Sequence, residues 1–293
     1  MKLLGLLGAS LKHSFSPELM NDLAREKNLS LAYSRFEIPE EKLPGFVEAV
    51  RLLPIWGFNV TIPHKVSILP FLNEQTPEVQ AIGAANTVLN QSGKLIGYNT
   101  DTVGFLESVR QLFGEENHPD SALILGSGGA ARAVLYALLF SGTESVFVAN
   151  RNASRAEKLA EEFGKYFRSS RILPGPLDWD FLSSVVPKVK LIVQTTSVGT
   201  WPHVDEVLRF PFEKLRSGQK VIDLVYNPPE TLFLQEVRKQ GVEALNGLPM
   251  LIGQAAKSLD IWGFPGHEED LLRLSHAIVE KFSRKDHSRM LEP

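Results

Sequence analysis

One turn constrains the fold of this chain more than any other feature: Gly126-Ser127-Gly128-Gly129-Ala130-Ala131. It follows the apolar run Ala122–Leu125, opens the amphipathic stretch Gly129–Ser141, and is succeeded by a second apolar run, Ser145–Ala149. Gly126, Gly128 and Ala131 stand at the spacing G-x-G-x-x-G/A. At that spacing the first glycine permits a tight turn out of a strand, and the second lets backbone approach a pyrophosphate. A small third residue lets the helix pack closely on the strand. The helix begins with unbonded N–H groups and the positive end of its dipole, which together suit phosphate. A glycine-rich turn alone is weak, but strand, turn, helix and second strand in succession are the full unit the pattern requires. The sequence therefore predicts a dinucleotide site at Gly126, Ser127, Gly128, Gly129 and Ala130.

The residues after the second strand bear on which dinucleotide it is. Where an NAD site places Asp or Glu against the ribose 2′-hydroxyl, this chain has Asn150-Arg151, with Arg155 one helical turn on. A carboxylate would repel a 2′-phosphate, whereas guanidinium groups bind it through short, charge-assisted bonds. Positive charge at a helix start also opposes the dipole, a cost that a bound anion relieves. Against a solvated basic helix start as the alternative, the expectation is NADP.

Short apolar runs alternate with helical periodicity along most of the 293 residues. Strands are expected at Leu3–Leu7, Tyr33–Ile38, Gly57–Thr61, Leu191–Gln194 and Val221–Leu224. Helices are expected at Pro17–Lys27, Glu41–Leu53, Val103–Phe113, Arg155–Phe163, Thr231–Gln240 and from about Pro249 to Trp262. The Glu41–Leu53 helix would bury Leu43, Phe46, Val47 and Val50, and the last would bury Leu251, Ile252, Ala255, Leu259 and Trp262. Thr87–Leu89 and Leu95–Tyr98 flank the turn Asn90-Gln91-Ser92-Gly93 as a hairpin. Strands alternating with helices predict an α/β protein with mostly parallel sheets. A boundary near Asp101–Thr102 separates two domains, and Ser283–Pro293 reads as a frayed polar tail.

Composition closes off several classes. A formal net charge of −3 offers no footprint for nucleic acid or an anionic membrane, so an anionic ligand must be held by local groups. The absence of cysteine excludes disulfides, thiolate-bound metal and a catalytic thiol. The apolar N-terminus, Met1–Gly8, is too short to span a bilayer and soon meets Lys12 and His13, so it reads as a buried first strand. The expected setting is cytoplasmic.

The first hundred residues place polar groups at strand ends and helix starts. His13-Ser14-Phe15-Ser16-Pro17 precedes a helix; Ser16 is either an N-cap or, with Ser14, a donor to a small carboxylate. Asn59-Val60-Thr61-Ile62-Pro63-His64-Lys65 leaves a strand, and Lys65 is either solvated or chemical. Asn86-Thr87 and Gly97-Tyr98-Asn99-Thr100-Asp101 add further groups, with Asp101 a helix cap or a site residue. His13 and His64 are expected to be structural.

Together these stretches resemble the shikimate dehydrogenase family. The similarity lies in His13–Pro17, Asn59–Lys65, Gly83–Val88, Tyr98–Gly104, Gly126–Ala133, Asn150–Arg155, Asp223–Thr231 and Asn246–Ala256, in that order, across roughly residues 5–265. The resemblance implies reversible reduction of 3-dehydroshikimate to shikimate by NADPH, in the route to aromatic amino acids. It implies Lys65 and Asp101 as the catalytic pair, and Ser14 and Ser16 on the substrate carboxylate with Tyr226 near it. Thr61, Asn86, Asp101 and Gln254 would bind ring hydroxyls, with Gly247 and Met250 by the nicotinamide. It further implies a substrate domain of residues 1–102 plus 248–293 and a doubly wound Rossmann NADP domain of residues 103–247, the C-terminal helices returning to the first domain. Asn152 stands where the family often has threonine, which puts one adenosine-phosphate contact in doubt; Ser127 replaces a common alanine and is expected to be tolerated.

Hydride transfer to a ketone develops negative charge on oxygen, so a cation or acid must lie within reach of it. Lys65 fits that need without a metal, and no metal-ligand cluster is visible in the sequence. The rival expectations are an enzyme that also accepts quinate or uses NAD, and a non-catalytic NADP-binding redox sensor. Monomer and homodimer are both compatible with the sequence.

Overall fold

A computed structural model of the chain describes residues 1–115 and 117–289. It divides into two compact units, Met1–Thr100 together with the chain from Ile252 onward, and Asp101–Leu251. Among the described residues no helix is long and apolar enough to cross a membrane.

The first unit is built on β1 (Lys2–Gly8), α1 (Ser16–Glu26), β2 (Leu31–Glu37), α2 (Leu43–Leu52) and β3 (Ile55–Val60). There follow α3 (His64–Ser67), β4 (Glu74–Gln75), α4 (Pro77–Ile82), β5 (Thr87–Gln91) and β6 (Lys94–Tyr98). Its six strands lie in the order β2-β1-β3-β5-β6-β4. β1 pairs in parallel with β2 and β3, while β5 is antiparallel to both β3 and β6, so the sheet is mixed. The expected hairpin causes this, since a tight turn can join only antiparallel neighbours. β5 runs two residues further than expected, leaving a two-residue turn at Ser92-Gly93 with positive φ at both positions. The α2 face Leu43, Val47 and Val50 is buried against the sheet, and Phe46 meets Phe58 edge-on at 5.6 Å.

The second unit begins with α5 (Asp101–Phe113), β7 (Ser121–Leu125), α6 (Gly129–Phe140), β8 (Ser145–Asn150), α7 (Ala153–Gly164) and β9 (Arg171–Pro176). It continues with α8 (Trp179–Val185), β10 (Leu191–Gln194), β11 (Lys220–Asp223), α9 (Leu232–Lys239), β12 (Glu243–Leu245) and the start of α10 (Leu248–Trp262). All six strands are parallel, in the order β12-β11-β10-β7-β8-β9. Counted within the unit this is 3-2-1-4-5-6 read from β9, the doubly wound dinucleotide-binding order. The apolar runs make sense at this level. Successive side chains of a strand point to opposite faces, and here both faces are covered. Ala122 and Ile124 pack with α5, α6 and α7, while Leu123 and Leu125 pack with α8 and α9. A strand buried on both sides reads as a continuous apolar run rather than an alternating one.

α10 carries the chain back into the first unit, where α11 (Glu268–Arg289) follows. The expected frayed tail from Ser283 is corrected as far as Arg289, which is helical; Met290–Pro293 lie outside the described residues. The signal was thin. Leu271, Ser275 and Ile278 make a narrow buried stripe, and Glu268, Glu269 and Asp270 favour a helix start by complementing the dipole. α11 packs on α1, with Lys27 and Asp270 paired at 2.8 Å and Arg273 paired with Glu26.

Candidate functional site

In the first unit the strand pairing brings the candidate residues together at one edge. β1 and β3 run in parallel, so the segments after them, carrying Ser14 and Ser16 and then Thr61 and Lys65, leave the same end of the sheet. Asn59 pairs with Thr87, and Thr87 with Tyr98, so the start of β5 and the exit from β6 lie at that end too. Ligands of open α/β sheets bind beyond the carboxyl ends of parallel strands.

Hydrogen bonds hold this edge together. Lys65 accepts from the Ala85 N–H through its carbonyl at 2.8 Å, next to Asn86. Asn86 Oδ1 accepts from the Thr100 N–H at 2.7 Å, and its Nδ2 donates to Thr100 Oγ1 at 2.9 Å. Thr100 is the residue before Asp101, which is buried and is the first residue of α5 rather than a cap outside it. Lys65 is half-buried on the short helix α3, and Thr61 is half-buried before it.

Ser16 is the first helical residue of α1, and the cap position falls on Phe15 with no side-chain capping bond. The capping alternative for Ser16 is therefore set aside. Ser14 Oγ lies 3.4 Å from the Ser16 N–H. His64 is fully buried and its Nε2 lies 2.7 Å from the Ile38 carbonyl, tying the exits of β2 and β3 together. It serves the scaffold.

A polar network joins this edge to α10, and two of its members, Tyr33 and Ser258, were not singled out from sequence. Tyr33 Oη donates to Asn59 Oδ1 at 2.7 Å, which leaves the Asn59 amide to donate to Thr87 Oγ1 and Ser258 Oγ, both at 2.9 Å. Gln254 lies one turn before Ser258 and is nine-tenths buried. The available signal was Ser258 itself, a polar residue in a mostly apolar helical face.

In the second unit the order of strands reverses between β7 and β10. Gly126 sits there at φ +117°, and a Cβ would fall 2.6 Å from Thr195 Oγ1, so only glycine fits without displacement. A Cβ on Gly128 would meet open space, and α6 starts after it with no side-chain cap. Its first N–H groups are thus open to an anion. Ser127, Gly129 and Ala130 lie around the same turn, none of them buried. Beyond β8, Asn150 Nδ2 donates to the Asn152 carbonyl at 2.9 Å, and Arg151 and Arg155 are exposed. Asn152 caps α7, accepting from Ser154 N at 3.1 Å, so its side chain has a structural task. An uncapped glycine turn with two exposed guanidiniums past the next strand fits a phosphorylated dinucleotide.

The loop after β11 carries Tyr226, half-buried, and is organised by Asp223. Asp223 accepts from Thr231 Oγ1 at 2.6 Å and from the Val225 N–H at 3.1 Å. Gly247 lies against the same loop: a Cβ there would sit 2.1 Å from the Leu224 carbonyl oxygen, and its N–H donates to the Val225 carbonyl at 3.0 Å. Met250 packs into the core with Phe105 and Leu112.

Burial pushes the Asp223 carboxyl from 3.8 up to about 6, the bonds from Thr231 and Val225 opposing part of the rise. Between those two values the folded state holds a proton that the unfolded state has released, so the stability this carboxyl contributes is fully present below about pH 4 and is lost as pH rises through about 6. The loss is about 3 kcal/mol. Asp223→Asn is expected to remove that fall. Urea unfolding at pH 4 and pH 7 checks it: the variant should gain on the wild type by roughly that amount, and parallel pH dependence would contradict it.

Comparison with known proteins matches two parts of the chain. The shikimate dehydrogenase substrate binding domain matches residues 6–88, and the shikimate / quinate 5-dehydrogenase family matches residues 107–178. A shikimate dehydrogenase (NADP(+)) from Caldicellulosiruptor saccharolyticus is 43% identical over 283 residues, covering 95% of this chain and 96% of the relative. A crystal structure of a shikimate dehydrogenase in complex with NADP+ superposes with a TM-score of 0.86 at 36% identity, covering 96% of each chain. The shikimate 5-dehydrogenase of Thermus thermophilus, in complex with NADP(H) and shikimate, gives 0.79 at 37% identity, covering 93% of this chain and 99% of that one.

Proposed function

The chain belongs to the shikimate dehydrogenase family, and from that premise we propose that it catalyses the reversible NADPH-dependent reduction of 3-dehydroshikimate to shikimate, with Lys65 and Asp101 as the proton-transfer pair. The observation that carries this is the bonded strand edge that joins Lys65 through Ala85 and Asn86 to Thr100, one residue from Asp101. The first unit is the substrate unit, and the second holds the cofactor.

NADPH, when bound, supplies the hydride. As negative charge grows on the substrate's carbonyl oxygen, the Lys65 ammonium donates a proton to it; in the oxidation direction the amine takes that proton back. Asp101 accepts from the neighbouring ring hydroxyl and orients Lys65. Ser14 and Ser16 donate hydroxyl hydrogen bonds to the substrate carboxylate, with Tyr226 beside it. Thr61, Asn86 and Gln254 read the ring hydroxyls. An enzyme that matches several hydroxyls rejects analogues strongly, because a mismatch leaves buried polar groups unpaired.

The residues around Gly126, Ser127, Gly128, Gly129 and Ala130 hold the pyrophosphate, Asn150, Arg151 and Arg155 the adenosine phosphate, and Gly247 and Met250 the nicotinamide. The enzyme works in the cytoplasm as a monomer or homodimer, without nucleic acid. The family description that matches residues 107–178 names quinate beside shikimate, and this favours quinate as the second substrate to try. The test is a panel of shikimate and quinate, each with NADP and NAD, followed by absorbance of the reduced cofactor.

A further inference from the structure

Ser258 is a buried polar group that the proposed chemistry does not use. It is fully buried on the face of α10 that otherwise presents Leu251, Ile252, Ala255, Leu259 and Trp262. Packing alone does not call for a hydroxyl there, because an alanine would fill nearly the same volume and avoid the cost of desolvating it. The hydroxyl has one proton and two lone pairs, and its surroundings engage all of them. It donates to the Gln254 carbonyl at 2.8 Å and accepts from Asn59 Nδ2 at 2.9 Å. The Thr87 hydroxyl at 2.9 Å meets the second lone pair, and Thr100 Oγ1 lies beside it at 3.2 Å.

These partners come from three directions. Asn59 lies near the end of β3, Thr87 starts β5, and Thr100 is bonded to Asn86 through both polar atoms of the Asn86 side chain. One turn further along α10, Trp262 Nε1 donates to the Val88 carbonyl at 3.1 Å, and the ring lies over Gly57, where a Cβ would be 2.3 Å from it. Gln254, Ser258 and Trp262 are spaced i, i+4, i+8 and so share one helix face. Trp262 pins the far end of that face by packing, and Ser258 pins the middle by hydrogen bonds.

We propose that Ser258 is a positioning residue for substrate recognition: it sets the spacing between Gln254 on α10 and the Asn86–Thr100 pair at the strand ends. This rests on the assignment of Asn86 and Gln254 to the ring hydroxyls. Without the Ser258 hydroxyl the helix keeps its apolar contacts but loses the link that registers Gln254 against Asn86. The loss falls on substrate binding and leaves the cofactor unit alone.

Steady-state kinetics test it, with shikimate and NADP varied in turn. Ser258→Ala is expected to raise the KM for shikimate by about five- to tenfold, as the loss of one buried hydrogen bond implies, with kcat within about threefold and the KM for NADP unchanged. Thr87→Val, which removes the opposing hydroxyl at nearly constant volume, should do the same, and Thr87→Ser should restore wild-type KM. The double variant Ser258→Ala/Thr87→Val should be little worse than either single one, because both act through one network. If Ser258→Ala is too unstable to assay, the Thr87 pair reads the same bond. A lowered Tm with wild-type KM for shikimate in Ser258→Ala or Thr87→Val would overturn the inference and leave Ser258 as packing. A wild-type protein inert towards shikimate would overturn the functional reading beneath it, and the same assay shows this before any variant is compared.

Discussion

Lys65→Ala is expected to lower kcat for shikimate oxidation by about a thousandfold, within the roughly 10²–10⁴ range that a positioned proton donor contributes. Two features make the loss specific to chemistry. Lys65 is half-buried on a four-residue helix, so truncation removes little packing. Its place at the strand edge is held by its carbonyl, which accepts from Ala85, and alanine keeps that bond. Tm should therefore move by no more than a few degrees, and the KM for NADP should stay near wild type. Rate measurements beside thermal melts check both halves. A variant within about tenfold of wild-type kcat would remove Lys65 from its role, and Asp101 would then need another proton partner.

Arg151→Ala is expected to weaken NADP by about 10- to 100-fold while changing NAD by less than about threefold. The figure follows from one charge-assisted bond to the 2′-phosphate at about 1.5–3 kcal/mol. Arg151 is exposed immediately after β8, so the fold does not depend on it. NAD has no 2′-phosphate for the guanidinium to meet. Titration of each nucleotide, read by calorimetry, separates the two cases. Equal weakening of both would mean that Arg151 acts on the pyrophosphate or on the loop rather than on the distinguishing group.

The second unit was the more legible in the sequence, for a physical reason. Strands buried on both faces must be apolar throughout, so Ala122–Leu125 and Leu191–Gln194 announced themselves within a residue of their observed bounds. The glycine turn is legible because the close approach at Gly126 admits no side chain. β9 (Arg171–Pro176) and the two-residue β4 were missed, since an edge strand with two prolines and a pair of polar residues carry no apolar period. α11 was missed because its buried stripe includes a serine.

The site divides along the same line. Lys65, Asn86 and Asp101 could be named because each stands in a stretch that resembles a family motif. The hydrogen bonds that tie their neighbours together could not be read in the same way. Asn59, Thr87, Thr100 and Ser258 are 199 residues apart at the extremes, and each alone reads as an ordinary polar residue at a strand end or on a helix. Only the pairing of β3 with β5 and the packing of α10 bring their hydroxyls and amides within hydrogen-bond reach of one another. Asp223 was legible as part of a motif, but its task of holding the Tyr226 loop follows from bonds to Val225 and Thr231 that no spacing specifies.

The initial rate of NADP reduction at the expense of shikimate is the most direct test of the proposed reaction. With purified protein, the expected result is a kcat/KM highest for shikimate with NADP, with quinate and NAD each lower by about tenfold or more. Cofactor binding without any shikimate-dependent rise in NADPH absorbance would contradict the proposed reaction and leave a nucleotide-binding sensor in its place.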